Sequence, residues 1–289
     1  MIPYLLNLAT LVGIFGILAA SLNIMVGYAG IFSVAQAVFF GLGAYAGAQI
    51  ALLLTTDLFV AILVAMAISA ALSLCIALPA LRVRDEYFVI ASLGLQMFAT
   101  TLFSEAQTLT GGVGGLVGIP QPSLLGFQIS GPWAMLCIVL AALGLVLLAT
   151  WLLMRGSFGR SLMAIRDSET AAQALGKNVP ALKLLAVCLS CAFAGVAGAL
   201  FAFHLAFVNV ESFTLEQSML VMAMVIIGGV GTLAGPIVGV LILMLLPAGL
   251  SFLPFIPPNQ IGVVQQMIYG FAMTLLMIYR PAGIVGRTR

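Results

Sequence analysis

From Tyr4 to Val26 the chain carries no Asp, Glu, Lys or Arg. The same holds for Ser33–Leu54, Leu58–Leu81, Tyr87–Phe103, Pro132–Met154, Leu184–Phe207, Ser218–Leu246 and Gly262–Tyr279. These runs constrain the fold more than any other feature. Crossing a bilayer as a helix takes about 20 apolar residues, whereas a water-facing surface needs about a quarter of its residues charged, and here 6% are. The runs are continuous rather than alternating, which argues for helices and against a β-barrel. The expected fold is all-α, a polytopic transmembrane helical bundle. MIPYLLNLATLVG has no basic n-region and no small-residue cleavage pattern, so it reads as a retained first helix.

The few charges are sorted by sign. All ten Lys and Arg fall in three places: Arg82 and Arg84, the segment Arg155–Lys183, and Arg280, Arg287 and Arg289. Asp57, Glu105, Glu211 and Glu216 occupy the other loops. Cytoplasmic loops are enriched in Lys and Arg, so the basic segments and the C-terminus are expected inside and the acidic loops outside.

Parity then becomes informative. Lys183 and Arg280 share a side, yet only three apolar runs separate them. The middle run contains GGVGTLAGP, whose Gly228, Gly229, Gly231, Gly235 and Pro236 can interrupt a helix. Splitting it there restores an even number of crossings, giving eight to nine spans in all and an external N-terminus. Irregular backbone at membrane depth must be buried in protein or line a cavity, so the break is expected inside the bundle. Gly27–Tyr45 is a candidate for partial re-entrance. FFGLGAYAG (Phe39–Gly47) and IGGVGTLAG (Ile227–Gly235) suggest an internal repeat; small residues that let helices pack closely would look the same.

Arg155–Lys183 holds seven of the charged residues. Within it Asp167 or Ser168 suits a helix N-cap, Glu169 suits the first turn, and Ala171, Ala172, Ala174 and Leu175 are strong helix formers. Gly176 is a natural C′ residue. The result is a helix of roughly 12 Å, too short to persist unaided, so the loop or another protein must hold it.

Here the chain resembles a known family. ETAAQALG (Glu169–Gly176) is similar to the E-A-A-x-x-x-G loop of ABC-importer permeases. Gly27–Tyr45, Leu81–Phe88, Leu109–Pro120, Gly159–Glu169, Gly228–Pro236 and Tyr279–Gly286 narrow the likeness to permeases for branched-chain amino acids, in order along nearly the whole chain. The resemblance implies one transmembrane permease domain over residues 1–289, type II importer-like, with a cytoplasmic coupling loop at 155–183. It also implies that Arg166, Asp167, Glu169, Ala171, Ala172 and Gly176 couple the chain to an ATPase. The implied partners are two ABC ATPase subunits carrying ATP and Mg, a second permease forming a heterodimer, and a periplasmic or extracellular solute-binding protein. The implied location is the inner membrane of a bacterium. Val113-Gly114 and Gln36 depart from the family's usual residues, which bears on substrate and not on fold.

Other chemistry finds no footing in the sequence. There is no G-x-x-x-x-G-K-[ST] phosphate loop, so ATP hydrolysis is expected on another chain. No H-E-x-x-H, G-x-S-x-G or Cys/His cluster points to an enzyme or a metal site. Nor is nucleic-acid binding indicated. Cys75, Cys137, Cys188 and Cys191 read as small apolar packers, and His204, beside Phe201, Phe203 and Phe207, as a packed residue. No ionisable residue sits mid-span, which disfavours an ion-coupled pump. Asn23, Gln36, Ser92, Gln96 and Gln217 are candidate path-lining residues, and each equally suits an interhelical hydrogen bond. The alternatives are the same machine for urea, short amides or sugars, a passive channel or ion-coupled carrier, and a non-transporting scaffold.

Overall fold

Backbone N–H and C=O groups in an apolar run must find partners within protein, and each run is helical over most of its described residues. The computed structural model describes residues 2–80, 85–124, 127–129, 131–250, 261–279 and 283–285. Arg82, Arg84, Arg280, Arg287 and Arg289, part of the orientation argument, lie outside them.

The chain runs α1 (Ile2–Asn23), a π-helical turn (Ile24–Tyr28), α2 (Gln36–Leu53), α3 (Leu58–Ala80), α4 (Asp85–Glu105) and the short α5 (Gln107–Thr110). Strands β1 (Leu116–Val117), β2 (Ser123–Leu124) and β3 (Phe127–Gln128) precede α6 (Pro132–Arg155), α7 (Ser157–Asp167), α8 (Glu169–Ala174) and α9 (Val179–Leu205). After β4 (Phe207–Val208) come a 3₁₀ turn (Val210–Phe213), α10 (Leu215–Gly228), α11 (Gly235–Leu250) and α12 (Ile261–Tyr279). Among the described residues, five helical spans are long and apolar enough to cross a bilayer: Pro3–Tyr28, Gln36–Leu53, Tyr87–Glu105, Pro132–Arg155 and Val179–Leu205. Leu58–Leu74, Leu215–Gly228 and Gly235–Leu246 are shorter apolar helices.

α9 is the central post, buried along most of its length. It runs parallel to α2, with Gly43 against Gly195 and Gly47 against Ala199. A Cβ at Gly47 would lie 3.1 Å from Ala199 Cα, and one at Gly195 would meet Ala65 O on α3 at 2.7 Å. In lipid, helices gain little from hydrophobicity alone, so such small-residue seams let backbones approach and gain dispersion contacts. α1 lies parallel to α6, Gly13 facing Val139 and Gly16 facing Leu143. A ring cluster of Phe15, Phe40, Phe201 and Phe213, extended by Tyr45 and Phe103, fills the centre at centroid spacings of 5.0–6.5 Å, mostly in the tilted or edge-on geometry aromatic pairs prefer.

The bundle has two chemically different ends. The first gathers Tyr28, α7, α8 and the turn between α10 and α11. All the described cations, Arg155, Arg160, Arg166, Lys177 and Lys183, lie there. At the second end Ser123 N donates to Thr56 O at 2.9 Å, and Leu116 and Val117 pair antiparallel with Val208 and Phe207. These two-residue strands are the departure from an all-α chain, and they pin the α4–α6 loop to the end of α9. Asp57, Glu105, Glu211 and Glu216 belong to this end.

The expected interruption is an α10–α11 hairpin. Gly229 and Gly231 have φ of 129° and 78°, a region open to glycine at little cost. Pro236 follows in the first turn of α11, where its missing N–H is not needed. Phe39–Gly47, by contrast, is continuous helix inside α2. The two stretches proposed as a repeat thus take different conformations. Within Gly27–Tyr45, Ala29–Ala35 is irregular backbone, and α2 begins at Gln36, whose side chain already meets Ser21 and Ser190 inside the bundle.

Candidate functional site

α7 and α8 form an elbow between α6 and α9. On α7, Gly159, Leu162 and Ile165 are buried while Arg160, Ala164 and Asp167 are exposed, a one-sided pattern that lays the helix against the bundle. Ser168 breaks it with extended backbone and caps α8, its Oγ accepting from Ala171 N at 3.3 Å. α8 ends in a Schellman pair, with Gly176 N donating to Gln173 O at 2.9 Å and Lys177 N to Ala172 O at 3.1 Å; Gly176 has φ of 75°. Ser168, not Asp167, is the cap, and α8 has 6 residues, about 9 Å rather than the 12 Å expected.

The loop itself holds α8. Lys183 Nζ on α9 lies 2.8 Å from Glu169 Oε2, and Ala172 is buried against Ile165, Val179 and Leu182. The opposite face carries Thr170, Ala171, Gln173 and Ala174, all exposed, and Leu175 is 79% exposed at the tip.

Arg166, though exposed, lies against the first end of the bundle. Its Nη1 donates to Gly27 O in the π-helical turn, and it packs closely on Gly30 and Gly231. Asn23, one turn earlier on α1, accepts from Gly231 N at 2.9 Å and donates to Thr232 O at 2.8 Å. Ile284 N and Val285 N donate to Ile227 O and Gly228 O, each at 3.0 Å. These neighbouring contacts tie α7, the end of α1, the α10–α11 turn and residues 284–285 together.

The path-lining candidates divide. Gln36 Nε2 donates to Ser21 Oγ at 2.8 Å, and Ser190 Oγ donates to Ser21 O at 2.7 Å, joining α1, α2 and α9. Gln96 Nε2 donates to Phe213 O at 2.8 Å and its Oε1 accepts from Ser218 Oγ at 3.1 Å. Ser92 Oγ accepts from Val34 N at 3.1 Å and borders an internal void of about 40 Å³. With Asn23, these four serve as interhelical ties. Gln217 instead lines a groove between α10 and α12. Its volume is about 580 Å³. Glu216 and Gln266 also line it, two residues the sequence reading did not join because 50 positions separate them.

Cys137 is exposed, Cys188 half-buried and Cys191 buried, all as free thiols. Among the described residues no group of His, Cys, Asp and Glu is arranged to hold a metal ion.

The profile of the family described as "Branched-chain amino acid transport system / permease component" matches residues 4–279. The chain is 31% identical to the high-affinity branched-chain amino acid transport system permease protein LivM of Escherichia coli K12, across 98% of this chain and 70% of that one. It is 25% identical to the probable LivM of Methanocaldococcus jannaschii across 94% and 90%. It is 30% identical to the autoinducer 2 import system permease protein LsrC of Klebsiella pneumoniae across 58% and 51%. No solved structure gives a significant match.

Proposed function

The chain belongs to the branched-chain amino acid transport system permease family, and on that premise we propose that it is the membrane-spanning subunit of an ATP-driven importer for branched-chain amino acids. In this reading it sits in a bacterial inner membrane with nine crossings: α1 to α4, α6 and α9 to α12. The basic first end faces the cytoplasm and the acidic second end faces outward, as the sorting of Lys and Arg favours. A second permease, two ATPase subunits carrying ATP and Mg, and a soluble binding protein complete the machine.

The observation that carries this reading is α8. A six-residue helix is clamped to α9 by Glu169–Lys183 while Ala171, Ala174 and Leu175 stand exposed. Exposed apolar side chains on a segment otherwise rich in charge suit a partner's groove. Movement of the seated helix would pass through Arg166 to Gly27 and, through Asn23, to the α10–α11 turn. Glu169, Ala171, Ala172 and Gly176 are then parts of the docked element, and Arg166 is its link to the bundle.

Proteoliposomes holding this chain with its companion permease, ATPase and binding protein test the reading. ATP-dependent uptake of radiolabelled L-leucine is expected, and Leu175→Arg should abolish both uptake and co-purification of the ATPase. Leucine flux without ATP, or an ATPase retained by Leu175→Arg, would overturn it. The likeness to an autoinducer 2 permease over 58% of the chain favours a second reading, the same machine with autoinducer 2 as cargo; competition by L-leucine, L-valine and autoinducer 2 distinguishes the two.

A further inference from the structure

We propose that the groove between the second-end halves of α10 and α12 is a solute subsite that holds the ammonium, carboxylate and aliphatic parts of an amino acid during passage. The inference rests on the importer reading and names where in the chain the solute is handled.

The groove is lined by Glu216, Gln217, Met219, Met222, Gln266 and Tyr269, among others. Gln266 Nε2 donates to Glu216 Oε2 at 3.2 Å, and Gln217 Nε2 is buried with no hydrogen-bond partner among the described residues. A second cavity of about 580 Å³, bordered by Gln96, Thr100 and Glu211, shares Leu215 and Glu216 with the first. Glu216 therefore stands in the wall of both. Among the described residues no Lys, Arg or His lines either cavity.

Two physical arguments converge. Gln266 lies more than a turn into α12, and Gln217 Nε2 has no partner among the described residues; amides of this kind are costly against acyl chains, which favours an aqueous path along this face. The lining also matches a zwitterion with an aliphatic side chain. Glu216 offers an acceptor to the ammonium, and exposed Gln266 offers the carboxylate the N–H not given to Glu216. Met219 and Met222 form an adaptable apolar wall. The Tyr269 hydroxyl is committed to Leu243 O at 2.8 Å, which leaves its ring as wall. The volume falls within the few hundred to about 1,000 Å³ usual for small-molecule sites.

Met219→Cys in the full importer, in intact cells, supplies the test, with the parent chain measured alongside because it has cysteines of its own. Thiol labelling from outside should run about tenfold or more faster with a cationic methanethiosulfonate than with an anionic one, since a cleft of one charge sign concentrates counter-ions. Adding Glu216→Gln should collapse that ratio, and excess L-leucine should slow labelling by either reagent. A site closed to both reagents would mean that lipid or the second permease covers it, and would overturn the proposal. So would equal rates, or labelling indifferent to leucine in cells that take leucine up normally. Absence of leucine uptake by the parent cells would instead remove the importer reading itself.

Discussion

Asn23 and Gly231 are joined across 208 residues of sequence by a 2.9 Å hydrogen bond, in which the buried side-chain Oδ1 accepts from the backbone N–H. The same side chain donates to Thr232 O. One amide thus satisfies both a donor and an acceptor of a turn that has no helical partners of its own. Leaving a buried backbone group unpaired costs about 1–3 kcal/mol. Asn23→Ala should therefore lower the thermal midpoint of the detergent-solubilised protein markedly. Asn23→Asp, which keeps the acceptor and loses the donor, should fall between. Equal midpoints for all three would show that the turn is held by its other contacts.

Gly176 has φ of 75°, and a Cβ built on it meets nothing within 4 Å. Substitution there is costly for conformational reasons alone, on the order of 1 kcal/mol for alanine and less for asparagine, which tolerates left-handed backbone. Hydrogen exchange of the amides in 169–177 should accelerate in Gly176→Ala and return toward the parent rate in Gly176→Asn. Leucine uptake should follow the same order. Identical exchange in all three proteins would remove the cap from the account of α8.

These two sites mark what the sequence disclosed and what it hid. The apolar runs, the Gly228–Pro236 break and the Ser168–Gly176 helix were readable because each depends on local chemistry: desolvated backbone, left-handed glycine, and caps. The π-helical turn at Ile24–Tyr28 left no such mark, since IMVGY suits an ordinary helix equally well. Amide side chains are visible in the spans, but only tertiary contacts show that Gln36 is tied between helices, that Gln96 is both tied and at a cavity wall, and that Gln217 lines a groove. α7 did leave a signal, with Phe158, Leu162 and Ile165 recurring at helical spacing among charges. Arg166 reaching Gly27 was legible in neither segment alone.

Lys183 is 8% exposed at its side chain, and its partner Glu169 is 41% exposed. Solvent at the carboxylate screens the pair, so its net worth is about 1 kcal/mol or less. Glu169→Gln should loosen α8 without unfolding the bundle. The expected result is severalfold faster exchange in 170–176, with the thermal midpoint little changed. In the assembled importer ATP hydrolysis should persist while uptake falls. A large drop in the midpoint would make the pair a structural tie of the whole molecule rather than a local clamp.

The α2–α9 seam sets the sharpest contrast between glycines. A Cβ at Gly43 would collide with the Gly195 backbone, which is already pressed between α2 and α3. A Cβ at Gly144 meets nothing within 4 Å. Backbone cannot yield as a flexible side chain can, so Gly43→Leu must separate the two helices and open the aromatic cluster beside them. Overpacking costs typically 1–3 kcal/mol and more where backbone blocks the way. The measurement is the monodisperse fraction by fluorescence-detected size exclusion of a tagged chain. Gly43→Leu should lose most of it, Gly43→Ala part of it, and Gly144→Leu almost none. If Gly43→Leu elutes like the parent, α2 and α9 do not pack as closely as the glycine seam requires, and the parallel arrangement of the central helices must be redrawn.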